Sequence, residues 1–139
     1  MRTVLIGTLL ALMTLTTGFA ADGLISVKSP YSTQQTMDRL EEIVTQKGLT
    51  VFARIDHAKG AQSVGKFLRP TELLIFGNPQ GGTTFMECAQ TVAIDLPLKA
   101  LVWQDQQGQV RLSYNDPDYL AGRHAAESCP VVDNLSKAL

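Results

Sequence analysis

The chain has 139 residues, with twelve Lys and Arg against thirteen Asp and Glu and a formal charge of −1. That length supports one domain with its own core and not two. A balance so near neutral does not supply the basic face that phosphate neutralisation needs, so nucleic acid is excluded as a partner class.

The first stretch, MRTVLIGTLLALMTLTTGFA, places one basic residue, Arg2, before an apolar run from Val4 to Leu15 and small residues at Gly18 and Ala20. It reads as a secretory signal peptide over residues 1–20, cleaved after Ala20. The apolar run is shorter than the roughly 20 residues that span a bilayer, so no membrane insertion is expected after cleavage. No Cys follows the cleavage point to carry a lipid anchor, and loss of Arg2 leaves eleven basic against thirteen acidic residues. The mature protein is expected in the periplasm or secreted, as one domain over residues 21–125 with a C-terminal tail over 126–139.

Gly23 to Lys28 alternates with period two and reads as a half-buried strand stopped by Pro30. Ser32 with Gln35 forms a capping-box pattern, and Thr36, Met37, Leu40, Ile43, Val44 and Lys47 recur at helical spacing up to Gly48, a left-handed cap. Thr50 to Ile55 reads as a strand in which Val51, Ala53 and Ile55 alternate against Thr50, Phe52 and Arg54. A turn-like cluster, Asp56-His57-Ala58-Lys59-Gly60, ends it, and Ala61 to Lys66 is a helical turn or loop. Arg69-Pro70 fixes an extended entry to a short central strand, Glu72 to Phe76, which Gly77-Asn78-Pro79 ends. Gln80-Gly81-Gly82 is a joint without the Gly-Lys-Ser/Thr of a phosphate loop. Thr83 or Thr84 can cap a helix running to about Val92. Asp95-Leu96-Pro97 makes a bend before a strand from Leu98 to Trp103, a polar hairpin over Gln104 to Gly108 and a partner strand from Val110 to Tyr114. Asp116 and Pro117 then start a short helix that ends at His124, where the helix dipole favours a positive charge.

Candidate functional residues concentrate between Thr50 and Pro79: Arg54, Asp56, His57 and Asn78 are the candidates for ligand binding. His57 projects from a strand end, and an imidazole there can serve as base, hydrogen-bond donor or metal ligand, or simply fix a surface turn. Asn78 can offer its amide to a ligand or satisfy its own turn. No catalytic residue is assigned, because neither Ser63, Thr71 nor Tyr114 comes with a nucleophile elbow or triad order. No metal or cofactor is expected: Met86 and Cys88 stand two apart on a helix and point to different faces, and no His and Cys lie at ligand spacing. In an exported chain the even count of cysteines favours a Cys88–Cys129 bridge over two buried thiols, tying the tail to the domain, and the pair lacks redox Cys-X-X-Cys spacing.

Four motifs in order, ARIDHAKGA, LRPTELLIFGNP, DLPLKALVW and YNDPDYLAGRH, resemble the bacterial and archaeal family catalogued as domain of unknown function 302, over Gly23 to His124. The resemblance implies an α+β fold similar to the β-α-β4-α arrangement of TATA-box-binding proteins, often paired as a dimer, with no assigned activity. With the pattern above, the expected architecture is an antiparallel sheet with helices packed on one face, in the order β-α-β-β-(α)-β-β-α. A sheet covered on one side leaves the other to a second copy. The reading that follows is an exported, non-catalytic, homodimeric module that binds or senses a small molecule. Its alternatives are an enzyme using His57 for acid/base chemistry and a structural envelope protein acting through its dimer surface.

Overall fold

The computed structural model describes residues 22–139, so the expected signal peptide lies outside the described residues. Five strands form one antiparallel sheet in the order β1-β5-β4-β3-β2. They are β1 (Leu24–Lys28), β2 (Thr50–Asp56), β3 (Thr71–Gly77), β4 (Leu98–Gln104) and β5 (Val110–Asn115). Five helices join them: α1 (Thr33–Gln46), α2 (His57–Ser63), α3 (Pro79–Cys88), α4 (Pro117–Arg123) and α5 (Val132–Ala138), with a 3-10 turn at Gln90–Ile94. This is the expected α+β class and antiparallel sheet, with two helices, α2 and α5, beyond the expected order.

Helix α1 starts where the capping box places it. Ser32 Oγ accepts from the Gln35 N–H at 3.2 Å and Gln35 Oε1 accepts from the Ser32 N–H at 3.2 Å, satisfying two donors that would otherwise lack partners. Gly48 leaves the helix with φ 75°, a conformation open to glycine without a Cβ penalty. The helix lays Met37 and Val44 against Leu74 and Phe76 of β3, Leu98, Ala100 and Val102 of β4, and Val110 of β5. Complete burial of Met37, Leu74 and Val102 makes this the main core, each such side chain contributing about 1.5–3 kcal/mol of transfer free energy.

The opposite face of the sheet stays open. Cross-strand partners share a face, and the pairings Ile55↔Leu73, Leu73↔Leu101, Ile75↔Lys99, Trp103↔Arg111 and Leu101↔Ser113 put Ile55, Leu73, Ile75, Leu101 and Trp103 there together. Ile55 is exposed and the other four are half-buried. Ser113 alone among the polar residues of that face is buried, and its Oγ accepts from Trp103 Nε1 at 2.8 Å.

Strand β2 departs from simple alternation. Val51 pairs with Phe76 and Ala53 with Ile75, consecutive residues, so Phe52 is the extra residue of a β-bulge. Val51 therefore faces the main core, whereas Ala53 and Ile55 face the open side, and Arg54 lies on the helix-covered side with Leu74. The expected grouping of Val51, Ala53 and Ile55 on one face fails for this reason.

Three local expectations are corrected. The Asp56–Gly60 cluster is not a free turn: Asp56 closes β2 and caps α2, its Oδ1 accepting from the Lys59 N–H at 2.8 Å. Helix α3 begins at Pro79 instead of Thr83 or Thr84, because Asn78 Oδ1 accepts from the Gln80 N–H at 2.9 Å and Pro79 takes the first helical position. Gly81 and Gly82 therefore lie inside the helix. It ends at Cys88, where Ala89 turns extended (φ −153°, ψ 106°), and the 3-10 turn follows.

Residues 126–139, read from the sequence as a tail, carry α5 and help build a second core. Phe85 of α3, Val92 of the 3-10 turn, Ala121 of α4, and Ala126, Cys129, Val131 and Val132 form it. Leu96 and Leu135 pack against both cores. Cys88 and Cys129 are joined in the expected disulfide, with Cα atoms 6.0 Å apart.

Candidate functional site

The sheet separates the four sequence candidates. Arg54, Asp56 and His57 lie where β2 ends and β3 begins, and Asn78 lies where β3 ends. A seven-residue strand spans roughly 20 Å, so no single small molecule touches both groups.

At the first end, Arg54 is already occupied by its own protein. Its Nη1 donates to Asp38 Oδ1 at 2.7 Å and Glu41 Oε2 at 3.1 Å, its Nη2 to Glu72 Oε2 at 3.2 Å, and its Nε to Glu72 Oε1. The Glu72 hydrogen bond chiefly, opposed by burial and aided by the hydrogen bonds to Asp38 and Glu41, raises the guanidinium pKa above its ordinary value. Arg54 thus ties α1 to β2 and β3 as a permanent cation. A polar trough of about 610 Å³ runs past Arg54, Asp56, Glu72 and Ser32. His57 does not line this trough; it sits exposed on the first turn of α2.

At the other end lies a half-open apolar cavity of about 410 Å³. Its floor is Leu49 just before β2 and Phe52 within it, Gly77 at the end of β3, and Pro97 with Leu98 at the entry to β4. The first half of α3, from Asn78 to Thr83, and Met86 make one wall; Ala93, Leu96 and Leu135 of α5 close the others. The β-bulge puts Phe52 here, with its ring 3.8 Å from where a Cβ on Gly77 would stand. Leu96 packs beside Gly82 of α3, its Cδ1 3.8 Å from where a Cβ on Gly82 would stand, an ordinary contact distance. No lining residue is ionisable. Only Asn78 and Thr83 offer polar side-chain atoms, and with Asn78 Oδ1 committed to the helix cap, the Asn78 amide N–H groups and the Thr83 hydroxyl are left for a ligand.

A third cluster escaped the sequence reading. His124 caps α4, but its ring is held by side chains as well as by the dipole: Nε2 lies 2.6 Å from Asp95 Oδ2 and Nδ1 lies 2.9 Å from Thr91 Oγ1. Arg123 Nη1 donates to Asp95 Oδ1 at 3.0 Å. Hydroxyl, imidazole and carboxylate stand at the spacing of a nucleophile, base and orienting acid. None of the three lines the apolar cavity or the polar trough, and the cluster's evident work is to fasten the 3-10 turn and the Leu96-Pro97 bend to α4. The sequence signal for it was thin, because Thr91, Asp95 and His124 belong to separate elements.

Comparison with known proteins adds the following. The family model described as "Domain of unknown function DUF302" matches residues 25–139. The chain is similar to a protein of Brucella suis named fluoride-specific ion channel FluC 1, 47% identical over 103 residues that cover 74% of this chain and 41% of that protein. It is equally similar to fluoride-specific ion channel FluC 2 of Brucella melitensis, 47% identical over 103 residues, covering 74% of this chain and 38% of that protein. The chain therefore spans about two fifths of the length of these curated relatives. Among solved structures, the crystal structure of an uncharacterized conserved protein DUF302 from Bacillus stearothermophilus superposes with a TM-score of 0.74 at 24% identity, covering 85% of this chain and 93% of that one. That likeness carries the fold alone. Among the described residues no helix is long and apolar enough to cross a membrane.

Proposed function

The chain belongs to the DUF302 family, a domain of unknown function, and from that premise we propose that it is a non-catalytic module that binds a small, uncharged, mostly apolar molecule beneath α3. It works as a homodimer exported to the cell envelope. The observation that carries the reading is the cavity of about 410 Å³ with no ionisable group in its walls. Its size falls in the range of about 300–1,000 Å³ typical of small-molecule sites, and its composition, apolar walls with a few polar atoms at one side, is that of a binding pocket. A charged ligand would lose its hydration there without a partner. An acceptor on the ligand would meet the Asn78 amide and the Thr83 hydroxyl.

The dimer reading is supported by the open sheet face. Five strands about 4.8 Å apart and roughly 20 Å long present about 500 Å² in projection. A standard interface buries about 800 Å² per partner, a footprint of the same order. The stripe of Ile55, Leu73, Ile75, Leu101 and Trp103 would pack on its own symmetry copy as one sheet on another. Export rests on the leader-like residues 1–20, and a disulfide suits that compartment.

Titration of indole into isotopically labelled protein tests the cavity. Shifts confined to the amides of Gly77, Gly81, Gly82 and Leu135 are expected; shifts scattered over the surface, or none, sink the proposal. A second reading is favoured by the Brucella relatives: matched over a stretch of a longer polypeptide named for fluoride, this domain serves there as an appended sensor, and this chain acts beside a membrane channel. Fluoride tolerance unchanged on deletion of the chain's gene would count against it.

A further inference from the structure

The C-terminal segment is held against the cavity by one covalent link. Cys129 is buried in the second core, whereas Cys88, the last residue of α3, is exposed. Beyond Cys129 the chain turns along α3: Val131 Cγ2 lies 3.9 Å from where a Cβ on Gly81 would stand, and Leu135 reaches the cavity wall and both cores. Helix α5 has only seven residues and no side-chain cap at its start. A helix that short does not hold its shape without docking. The bridge therefore fixes the element that supplies Leu135.

Resting on the ligand site proposed above, we infer that the Cys88–Cys129 disulfide is a redox latch: a dithiol reductant opens it, releases α5 from the cavity and weakens ligand binding. Exposure makes Cys88 Sγ the sulfur that a reductant's thiolate attacks. A mixed disulfide forms at Cys88, the Cys88–Cys129 bond breaks, and Cys129 leaves as a thiolate that takes up a proton. The reductant's second thiol then attacks its own sulfur in the mixed disulfide, freeing Cys88 as a thiol and leaving the reductant as a disulfide. Two electrons and two protons pass to the protein. Cys129 Sγ stands 3.8 Å from the Thr84 carbonyl oxygen, so the new thiol has an acceptor in place and the buried sulfur is not left unsatisfied. The main core of α1 and the sheet does not include either cysteine, so the sheet persists while the lid loosens.

The test compares bridged protein, protein treated with dithiothreitol, and the Cys88→Ser/Cys129→Ser double variant, all as the full chain. Hydrogen exchange and indole titration are followed together. Opening of the bridge is expected to strip protection from amides 131–137, leave β3 and β4 protected, and weaken indole about tenfold, within the usual range of coupling between sites. Unchanged protection of α5 with unchanged indole affinity overturns the latch and leaves the cavity reading intact. Loss of protection through β3 and β4 as well overturns it too, since the bridge would then hold the whole fold. Absence of indole binding in the bridged protein, with α5 still freed on reduction, supports the lid's release and sinks the ligand-site reading.

Discussion

At the scale of single residues, Arg54 shows how one inserted residue redirects chemistry. Strict alternation along Thr50 to Ile55 sets Arg54 apart from Val51, and a basic residue away from the apolar side reads as a ligand contact. The bulge at Phe52 reverses this by turning Arg54 onto the helix-covered side, where Asp38, Glu41 and Glu72 surround it. Arg54→Ala leaves three carboxylates facing one another and is expected to lower stability by about 1–2 kcal/mol in urea unfolding, the partial exposure of the network limiting the loss. No measurable loss would mean that the network is solvent-screened. A bulge leaves no mark in hydrophobic periodicity, so Arg54's true role was not legible. The capping role of Asp56 was legible only as turn chemistry.

Asp105 gives the pH dependence. Its buried carboxylate accepts from Arg111 Nε at 2.7 Å and from the N–H groups of Gln107 and Gln109 at 3.0 and 2.9 Å. The Arg111 hydrogen bond chiefly, aided by the backbone donors against burial, holds its pKa below the usual carboxylate range. A depressed pKa in the folded state contributes stability that is present above the unfolded value and is lost as pH falls through the folded one. Asp105→Asn should therefore flatten the acid limb of the stability profile and leave the difference between pH 6 and 8 unchanged. An acid limb as steep in the variant as in the parent contradicts the assignment.

At the scale of elements, capping decided where the sequence reading held and where it slipped. Ser32 and Gln35 announced α1 correctly, since that signal is local and complete. Two glycines outweighed Asn78-Pro79 in reading the next segment, and the helix cap was placed five or six residues late. The cap resolves the conflict: Gly82 costs helix propensity of about 1 kcal/mol, but the Asn78 side chain and Pro79 still start the helix ahead of it. Asn78→Ala should cost about 1 kcal/mol in stability and weaken binding of cyclohexanone, whose carbonyl can accept from the Asn78 amide; Asn78→Asp should retain the cap but not the binding. Equal binding in both variants would remove Asn78 from the site. Helix α5 was invisible because seven residues carry too little periodicity, and its place depends on Cys129. In the chain-entropy account, a bridge closing 41 residues stabilises by at most about 4 kcal/mol, and a lowered midpoint with the sheet still folded at about 25 °C is expected for the double Ser variant in thermal unfolding.

At the scale of the whole molecule, the class of fold was readable because strand alternation, turn residues and caps agreed along most of the chain. The cavity was not, because its walls are drawn from β2, β3, α3, the Leu96-Pro97 bend and α5, none of which names its neighbours in sequence. The open face yields a separate prediction: Leu101→Glu, a half-buried position on the central strand, should convert a dimer to a monomer in sedimentation without unfolding it. A wild-type monomer at micromolar concentration would contradict the dimer.

The binding site itself is tested most directly by recovering what the protein carries. The chain and its Met86→Trp variant, whose indole ring fills the cavity from the α3 wall, would be purified without denaturant from the cells that make them, and the small molecules released on unfolding compared by mass spectrometry. The account predicts an uncharged, mostly apolar compound in the parent and its loss from the variant. The same yield from both proteins, or an ionic compound alone, would contradict it.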